Sequence, residues 1–173
     1  MKFRLVTLAF CVALLGASLM AHGCVGYNLQ PKEAAAPAPT KMATEADPQA
    51  ALEEIYYDVQ IMGVQEATSD ILDERFRIAS ELYTSADVRV ADGRYGVADV
   101  FILKPAAGKE DELKEALEQV KLARIMEFKN YDIYNSLQLA EDGQIFTRGD
   151  YLVLIMIENP DQVREVIERH IPS

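Results

Sequence analysis

Residues 151–157 read YLVLIMI, and this run is the strongest structural signal in the chain. Seven apolar residues in succession are typical of a strand that is covered on both faces. A strand covered on one face and packed against a second copy on the other would show the same pattern. Residues 144–147 (QIFT) precede the run, with the turn Arg148-Gly149-Asp150 between them. Because Gly and Asp favour tight turns, the two segments are predicted to form a β-hairpin.

The segments around the hairpin show either helical spacing or strand alternation of their apolar residues. Asp47 suits the N-cap of a helix, and Pro48 suits its first position. The predicted elements are, in order, helices over 48–62 and 69–83, strands over 88–90 and 97–103, a helix over 109–129, the two hairpin strands, and a helix over 161–170. This order, ααββαββα, predicts an α+β fold with a mostly antiparallel four-stranded sheet and packed helices. We assign it to a single domain over residues 48–173.

The helix over 109–129 differs from an ordinary amphipathic helix at its C-terminal end. Its main apolar face is continuous, but Leu122, Ile125 and Met126 fall on the opposite side. Residues 131–139 could fold back and cover these side chains. Alternatively, this end of the helix forms a surface for a partner.

The first 23 residues have the pattern of an export signal. Basic residues lie at the start, residues 5–20 are largely apolar, and small residues lead up to Cys24. The apolar part is too short for a stable transmembrane helix. Because Cys24 follows directly and no later cysteine exists, residues 1–23 are predicted to be a lipoprotein signal peptide and Cys24 its lipidated residue. A plain secretory signal that is cut after Ala21 is the alternative.

Residues 24–47 are predicted to form a tether. The stretch over 30–40 (QPKEAAAPAPT) alternates Ala and Pro, which disfavours helices and strands and favours extended polyproline II. At about 3.1 Å per residue, roughly 20 such residues reach on the order of 60 Å. The tether would therefore hold the domain away from a membrane surface.

The chain is acidic, with a formal net charge of −11, and the loss of Lys2 and Arg4 with the signal would make the charge −13. Such a chain repels nucleic acids and anionic lipid headgroups, so neither is an expected partner. Membrane attachment would then depend on acyl chains on Cys24. We therefore expect a lipid-anchored protein on the extracytoplasmic face of a bacterial cell membrane or outer membrane.

Residue types that are common in catalytic and metal sites are scarce. His170 is the only histidine after the signal and lies near the C-terminus, where an exposed position is expected. With one histidine and no thiol beyond Cys24, zinc is not expected. The sequence predicts no catalytic, cofactor-binding or metal-binding residue. Asp99 lies within an apolar strand, where it is either a site residue or an edge or capped aspartate that bonds to the backbone.

Three stretches of the chain resemble a known group of bacterial lipoproteins. They are the strand over 98–104 (ADVFILK), the end of the charged helix at 128–131 (FKNY), and the turn and strand over 149–153 (GDYLV). In these stretches the chain resembles the uncharacterised lipoprotein family domain of unknown function 4358, over roughly residues 48–170. The apolar Leu122, Ile125 and Met126 depart from the family pattern, in which polar residues are usual. The resemblance implies an envelope lipoprotein without an assigned reaction and carries over no catalytic residue.

Together these features predict a membrane-anchored, extracytoplasmic binding or assembly module that is not an enzyme. Its expected partners are the membrane, through the lipid anchor, and an envelope protein, while the oligomeric state is left open. The alternative is a carboxylate-dependent envelope hydrolase, which requires Asp99 or a neighbour in a concave pocket with a raised pKa. A third hypothesis is self-association through the strand at Tyr151 or the helix face at Ile125.

Overall fold

The computed structural model describes residues 44–57, 59 and 61–173. The predicted signal peptide, Cys24 and most of the predicted tether lie outside the described residues. The described helices are α1 (Pro48–Ile55), α2 (Ser69–Glu74), α3 (Glu110–Phe128), α4 (Ser136–Glu141) and α5 (Pro160–His170). The described strands are β1 (Val64–Glu66), β2 (Tyr83–Ala91), β3 (Asp99–Pro105), β4 (Gln144–Arg148) and β5 (Tyr151–Met156). Short 3-10 helices, Ser80–Leu82 and Gly93–Tyr95, flank β2.

The strands form a five-stranded sheet in the order β1-β2-β3-β5-β4, and the pairings between neighbours are antiparallel. The predicted α+β class and antiparallel sheet are confirmed, but the prediction of four strands is wrong. The missed strand is β1, whose three residues are too few to show an alternation of apolar and polar positions. It forms because Val64 and Glu66 pair with Ala91 and Arg89 of β2. The order ααββαββα is wrong as well, because β1 separates α1 from α2 and the short α4 follows α3.

Different helices cover the two faces of the sheet. Along β3, Phe101 and Leu103 face the layer of α2, α3 and α4, whereas Val100 and Ile102 face α1 and α5. β5 alternates in the same way and lies between β3 and β4. The apolar run over 151–157 is therefore covered on both faces by this chain, and a second copy is not needed to explain it. With a strand on each side, β5 also offers no free edge for self-association.

The first helix begins where the sequence predicts, but both early helices end sooner. Asp47 accepts a hydrogen bond of 3.0 Å from the backbone N–H three residues on, and Pro48 takes the first position of α1. α1 ends at Ile55 rather than at residue 62. α2 ends at Glu74 rather than at residue 83, because Arg77 adopts a φ of 59°, which a right-handed helix does not contain. The rest of the predicted helix contains the 3-10 helix Ser80–Leu82 and the first residue of β2, Tyr83.

The later elements agree better with the sequence predictions. The bounds of α3, α5 and the hairpin strands match to within a single residue at each end. The strand predicted over 97–103 runs over Asp99–Pro105 instead. None of the described helices is both long enough and apolar enough to cross a membrane.

Candidate functional site

A buried ion pair lies between β3 and α3. Asp99 Oδ2 accepts a hydrogen bond from Arg124 Nε at 2.8 Å, and the two side chains are 0% and 2% exposed. β3 is the central strand, and Asp99 shares the face of Phe101, so its carboxylate is directed toward α3. The other oxygen, Oδ1, accepts from the N–H of Ala91 at 2.8 Å. Asp99 thus bonds to the backbone, as one of the two interpretations expects, but from the centre of the sheet rather than from its edge.

Arg124 donates hydrogen bonds through all three nitrogens of its guanidinium group. Besides the bond to Asp99, Nη2 donates to the carbonyl oxygen of Ala91 at 2.8 Å, and Nη1 donates to Glu127 at 2.8 Å. The guanidinium carbon lies 5.5 Å from the centre of the Phe76 ring. These three bonds explain how the core holds a guanidinium group, since a buried charge is tolerated only when it is paired and hydrogen-bonded.

The electrostatics of the pair follow from its burial. Burial raises the pKa of the Asp99 carboxyl, and the Arg124 guanidinium opposes that shift. Burial lowers the pKa of Arg124, but Asp99 and Glu127 more than compensate, so the net change is upward. The raised pKa of Asp99 is what the hydrolase hypothesis requires. However, both carboxylate oxygens are occupied and the side chain faces the core rather than an open pocket, so the pair as it stands does not reach a substrate.

Asp99 stands out in the sequence as a charge within an apolar strand, whereas its partner Arg124 was not predicted. The buried positions of α3 are Leu113, Leu117, Val120, Arg124 and Phe128. Arg124 is the charged member of this otherwise apolar stripe, and an arginine on such a stripe indicates a buried anionic partner. An arginine at an apolar position of α3, together with an aspartate inside an apolar strand, could have indicated the pair from the sequence.

His170 lies in a second charged cluster, between α1 and α5. Its Nε2 is 2.7 Å from Oε2 of Glu54, and Arg169 bonds to the other oxygen of the same carboxylate. The His170 side chain is 12% exposed, so it is not the exposed terminal histidine that the sequence suggests. Partial burial raises the pKa of Glu54, but the bonds from His170 and Arg169 outweigh it, and the net pKa is lowered. The N–H of Asp47 also donates to the carbonyl oxygen of His170 at 3.0 Å, so the start of α1, through this backbone bond, and its end, through Glu54, are both joined to the end of α5.

An open cleft with a volume of about 320 Å³ lies beside β1. It is lined by Tyr56, Val59, Val64, Gln65, Glu66 and Arg89. The hydroxyl of Tyr56 donates to the carbonyl oxygen of Ala98 at 2.6 Å, and burial raises its pKa well above the ordinary value. Arg89 donates to the carbonyl oxygen of Leu52 at 3.3 Å and lies 3.6 Å from Glu66. The main polar side chains of the cleft therefore bond to other groups of the protein. Among the described residues, no three His, Cys, Asp or Glu side chains are grouped to hold a metal ion.

The C-terminal end of α3 and the segment after it expose large apolar side chains. Leu122 and Met126 are 49% and 58% exposed, and their spacing of four residues makes them neighbours on the helix. Tyr131 and Tyr134 follow α3 and are 75% and 80% exposed. Ile125, in contrast, is partly buried against the core. The cover predicted for this end of the helix is thus only partial.

The family model described as Domain of unknown function (DUF4358) matches residues 57–157. The matched region runs from the end of α1 to the end of β5, so it contains the Asp99–Arg124 pair and the exposed end of α3. The matched region is narrower than residues 48–170, over which the resemblance was expected. No curated protein and no solved structure matches the chain. Because the family match covers more than half of its residues, the chain belongs to the DUF4358 family.

Proposed function

We propose that this protein is a lipid-anchored binding or assembly module on the extracytoplasmic face of a bacterial membrane. The observation that carries the proposal is the exposure of Leu122, Met126, Tyr131 and Tyr134 within one short region. Aromatic residues and methionine are enriched where proteins meet partners. The buried charged groups, in contrast, bond to one another and serve the fold. The surface of the described residues therefore favours a binding function over a catalytic one.

The N-terminal sequence supports the anchored part of the proposal. Residues 1–23 have the export pattern, and Cys24 follows directly as the acylation site. A tether over 24–47 would let the domain reach an envelope protein at some distance from the bilayer. The acidic net charge of −11 makes electrostatic attachment to anionic lipids unfavourable, so attachment would depend on the acyl chains.

Palmitate labelling in a bacterial host tests the anchor. The parent protein should take up label and stay with the membrane fraction, whereas Cys24→Ser should take up none. Label on neither protein, with the parent released from the cell, would make it a secreted protein and remove the anchor from the proposal.

Site-specific photo-crosslinking in the same cells tests whether the exposed region around Leu122 and Met126 binds a partner. Benzoylphenylalanine in place of Leu122 should give a discrete adduct with an envelope component. The matched control is benzoylphenylalanine in place of Gln162, an exposed residue of α5. Equal adduct yields from both positions, or no adduct from position 122, would contradict the proposal that this region binds a partner.

A carboxylate-dependent envelope hydrolase is the second candidate, and the raised pKa of Asp99 favours it. This candidate needs a change of conformation that opens the carboxylate to solvent. Hydrolysis of cell-wall fragments by the parent, lost in an Asp99→Asn protein whose circular dichroism shows that it is folded, would support it. No turnover by the parent across ester, amide and glycosidic substrates would exclude this candidate.

A further inference from the structure

One exposed stripe of α3 joins acidic and apolar residues. We call it the α3 stripe, and its members are Asp111, Glu115, Glu118, Leu122 and Met126, which are all exposed. Their spacing of three or four residues keeps them on one side of the helix, opposite its buried face. At 1.5 Å per residue, the stripe is about 22 Å long. It is therefore long enough to lie against several turns of another helix.

The three carboxylates of the α3 stripe have no ion-pair partner in the part of the chain that the structure describes. The ion pairs made by α3 use Glu112, Arg124 and Glu127 instead. Glu115 and Glu118 also lie beyond the first turn, where the helix dipole no longer favours acidic residues. Asp111 lies in the first turn, where the helix dipole favours it, but Glu115 and Glu118 serve no evident role within the fold. Although Lys114 is exposed on the same helix, the stripe itself places three carboxylates beside an exposed apolar surface.

We infer that the α3 stripe docks a cationic amphipathic helix of another protein. Lysine or arginine residues of that helix would meet Asp111, Glu115 and Glu118, and its apolar residues would cover Leu122 and Met126, in the manner of other amphipathic-helix recognition. The inference rests on the proposed binding function and names the class of its partner. Lys129 is exposed beyond Met126 and disfavours a basic residue of the partner at that end of the stripe.

Two other occupants fit the α3 stripe less well. A bilayer with anionic headgroups is repelled by the three carboxylates and by the net charge of the chain. A second copy would bring its own stripe, and an antiparallel arrangement would set carboxylates against apolar side chains. A parallel arrangement would set carboxylates against carboxylates. Charge complementarity therefore selects a cationic helix.

The test uses the full-length protein in phosphatidylcholine vesicles, with benzoylphenylalanine in place of Leu122. The probe is a fluorescent synthetic helix of about 18 residues, long enough to span the stripe, with leucines on one face and lysines on the other. Irradiation should join probe and protein. Replacing Glu115 and Glu118 by Gln should lower the adduct yield about five- to tenfold, as the loss of two surface charge contacts predicts. The matched control replaces Glu158 and Glu165, which are exposed next to and on α5, by Gln and should leave the yield unchanged.

The outcomes separate this inference from the proposed function. An adduct that needs the Glu115 and Glu118 carboxylates and is lost in high salt supports the cationic helix. Equal yields from parent and Gln variant, or from a probe with glutamates in place of its lysines, would overturn it. Crosslinks to lipid rather than to the probe would overturn it in favour of the bilayer. If the probe gives no adduct while Leu122 still gives one in cells, the binding function stands and the cationic helix is wrong.

Discussion

Asp99 and Arg124 are separated by 25 residues along the chain, yet their side chains meet at 2.8 Å between the central strand and the longest helix. Both also bond to Ala91, the last residue of β2, one to its N–H and the other to its carbonyl oxygen. Three elements of the fold therefore meet at one ion pair. Because hydrogen bonds depend on direction, the pair fixes the position of α3 on the sheet in addition to stabilising their contact.

Replacing Asp99 by Asn should destabilise the protein strongly. Asn retains an oxygen for the Ala91 N–H but removes the negative charge beside Arg124. We expect a loss of about 3 kcal/mol in the free energy of unfolding, which is typical when one partner of a buried ion pair is removed. Urea unfolding followed by circular dichroism measures the loss. The double variant with Arg124→Met should lose clearly less than the sum of the two single variants, and strictly additive losses would contradict the coupling.

Replacing Gly96 by Ala should destabilise the fold more than the same change at Gly108. Both glycines have positive φ, of 103° and 73°, so both variants carry backbone strain. At Gly96 the new Cβ would also lie 2.8 Å from Oγ of Ser136, which accepts the N–H of Val97. No atom lies within 4 Å of the new Cβ at Gly108. We expect losses of about 3 and about 1 kcal/mol by thermal unfolding, and equal losses would show that the contact with Ser136 is unimportant.

Truncation of two leucines of α3 should change the stability of the protein by very different amounts. Leu117 is fully buried, and Leu117→Ala should cost about 2–5 kcal/mol of unfolding free energy through lost burial and a cavity. Leu122 is half exposed, so Leu122→Ala should change stability by less than about 0.5 kcal/mol. The same chemical unfolding measurement serves both variants. A large loss for Leu122→Ala would mean that its side chain supports the fold rather than a partner.

The Glu54 cluster should make stability depend on pH in the acid range. Because the pKa of Glu54 is lowered in the folded protein, the unfolded chain takes up its proton first as the pH falls. This contribution is fully present above the ordinary glutamate value of about 4.3 and is lost as the pH falls through the lower folded value. Unfolding from about pH 7 to about pH 3 should show a shallower acid dependence for Glu54→Gln than for the parent. Identical slopes would contradict the assignment.

The strong periodic signals of the sequence predicted the centre of the molecule well. The apolar run over 151–157 identified a strand, and of its two interpretations the structure shows cover on both faces by this chain. The bounds of α3 were predicted to within one residue at each end. In these segments burial itself sets the spacing of apolar residues, so the pattern and the structure have the same cause.

The parts that the sequence missed depend on contacts between distant residues. β1 is a strand only because β2 offers it a partner, and three residues carry no period of their own. α2 looked longer because apolar residues continue at helical spacing, but the positive φ of Arg77 ends it. A short 3-10 helix follows, and the chain pairs with β3 from Tyr83 onward. Asp99 stood out as a charge in an apolar strand, whereas its match with Arg124 required knowing that α3 lies over β3.

The hydrogen bond from the N–H of Asp47 to the carbonyl oxygen of His170 has a mechanical consequence. A pulling force transmitted along the chain from before residue 44 enters the folded part at α1. The contact between α1 and α5 bears that force first, through this backbone bond and the Glu54 cluster. α1 also packs on the sheet, and Arg89 of β2 bonds to the Leu52 carbonyl oxygen. We expect α1 to detach from α5 and from the sheet before the strands separate, so these contacts would set the load at which the folded part begins to open.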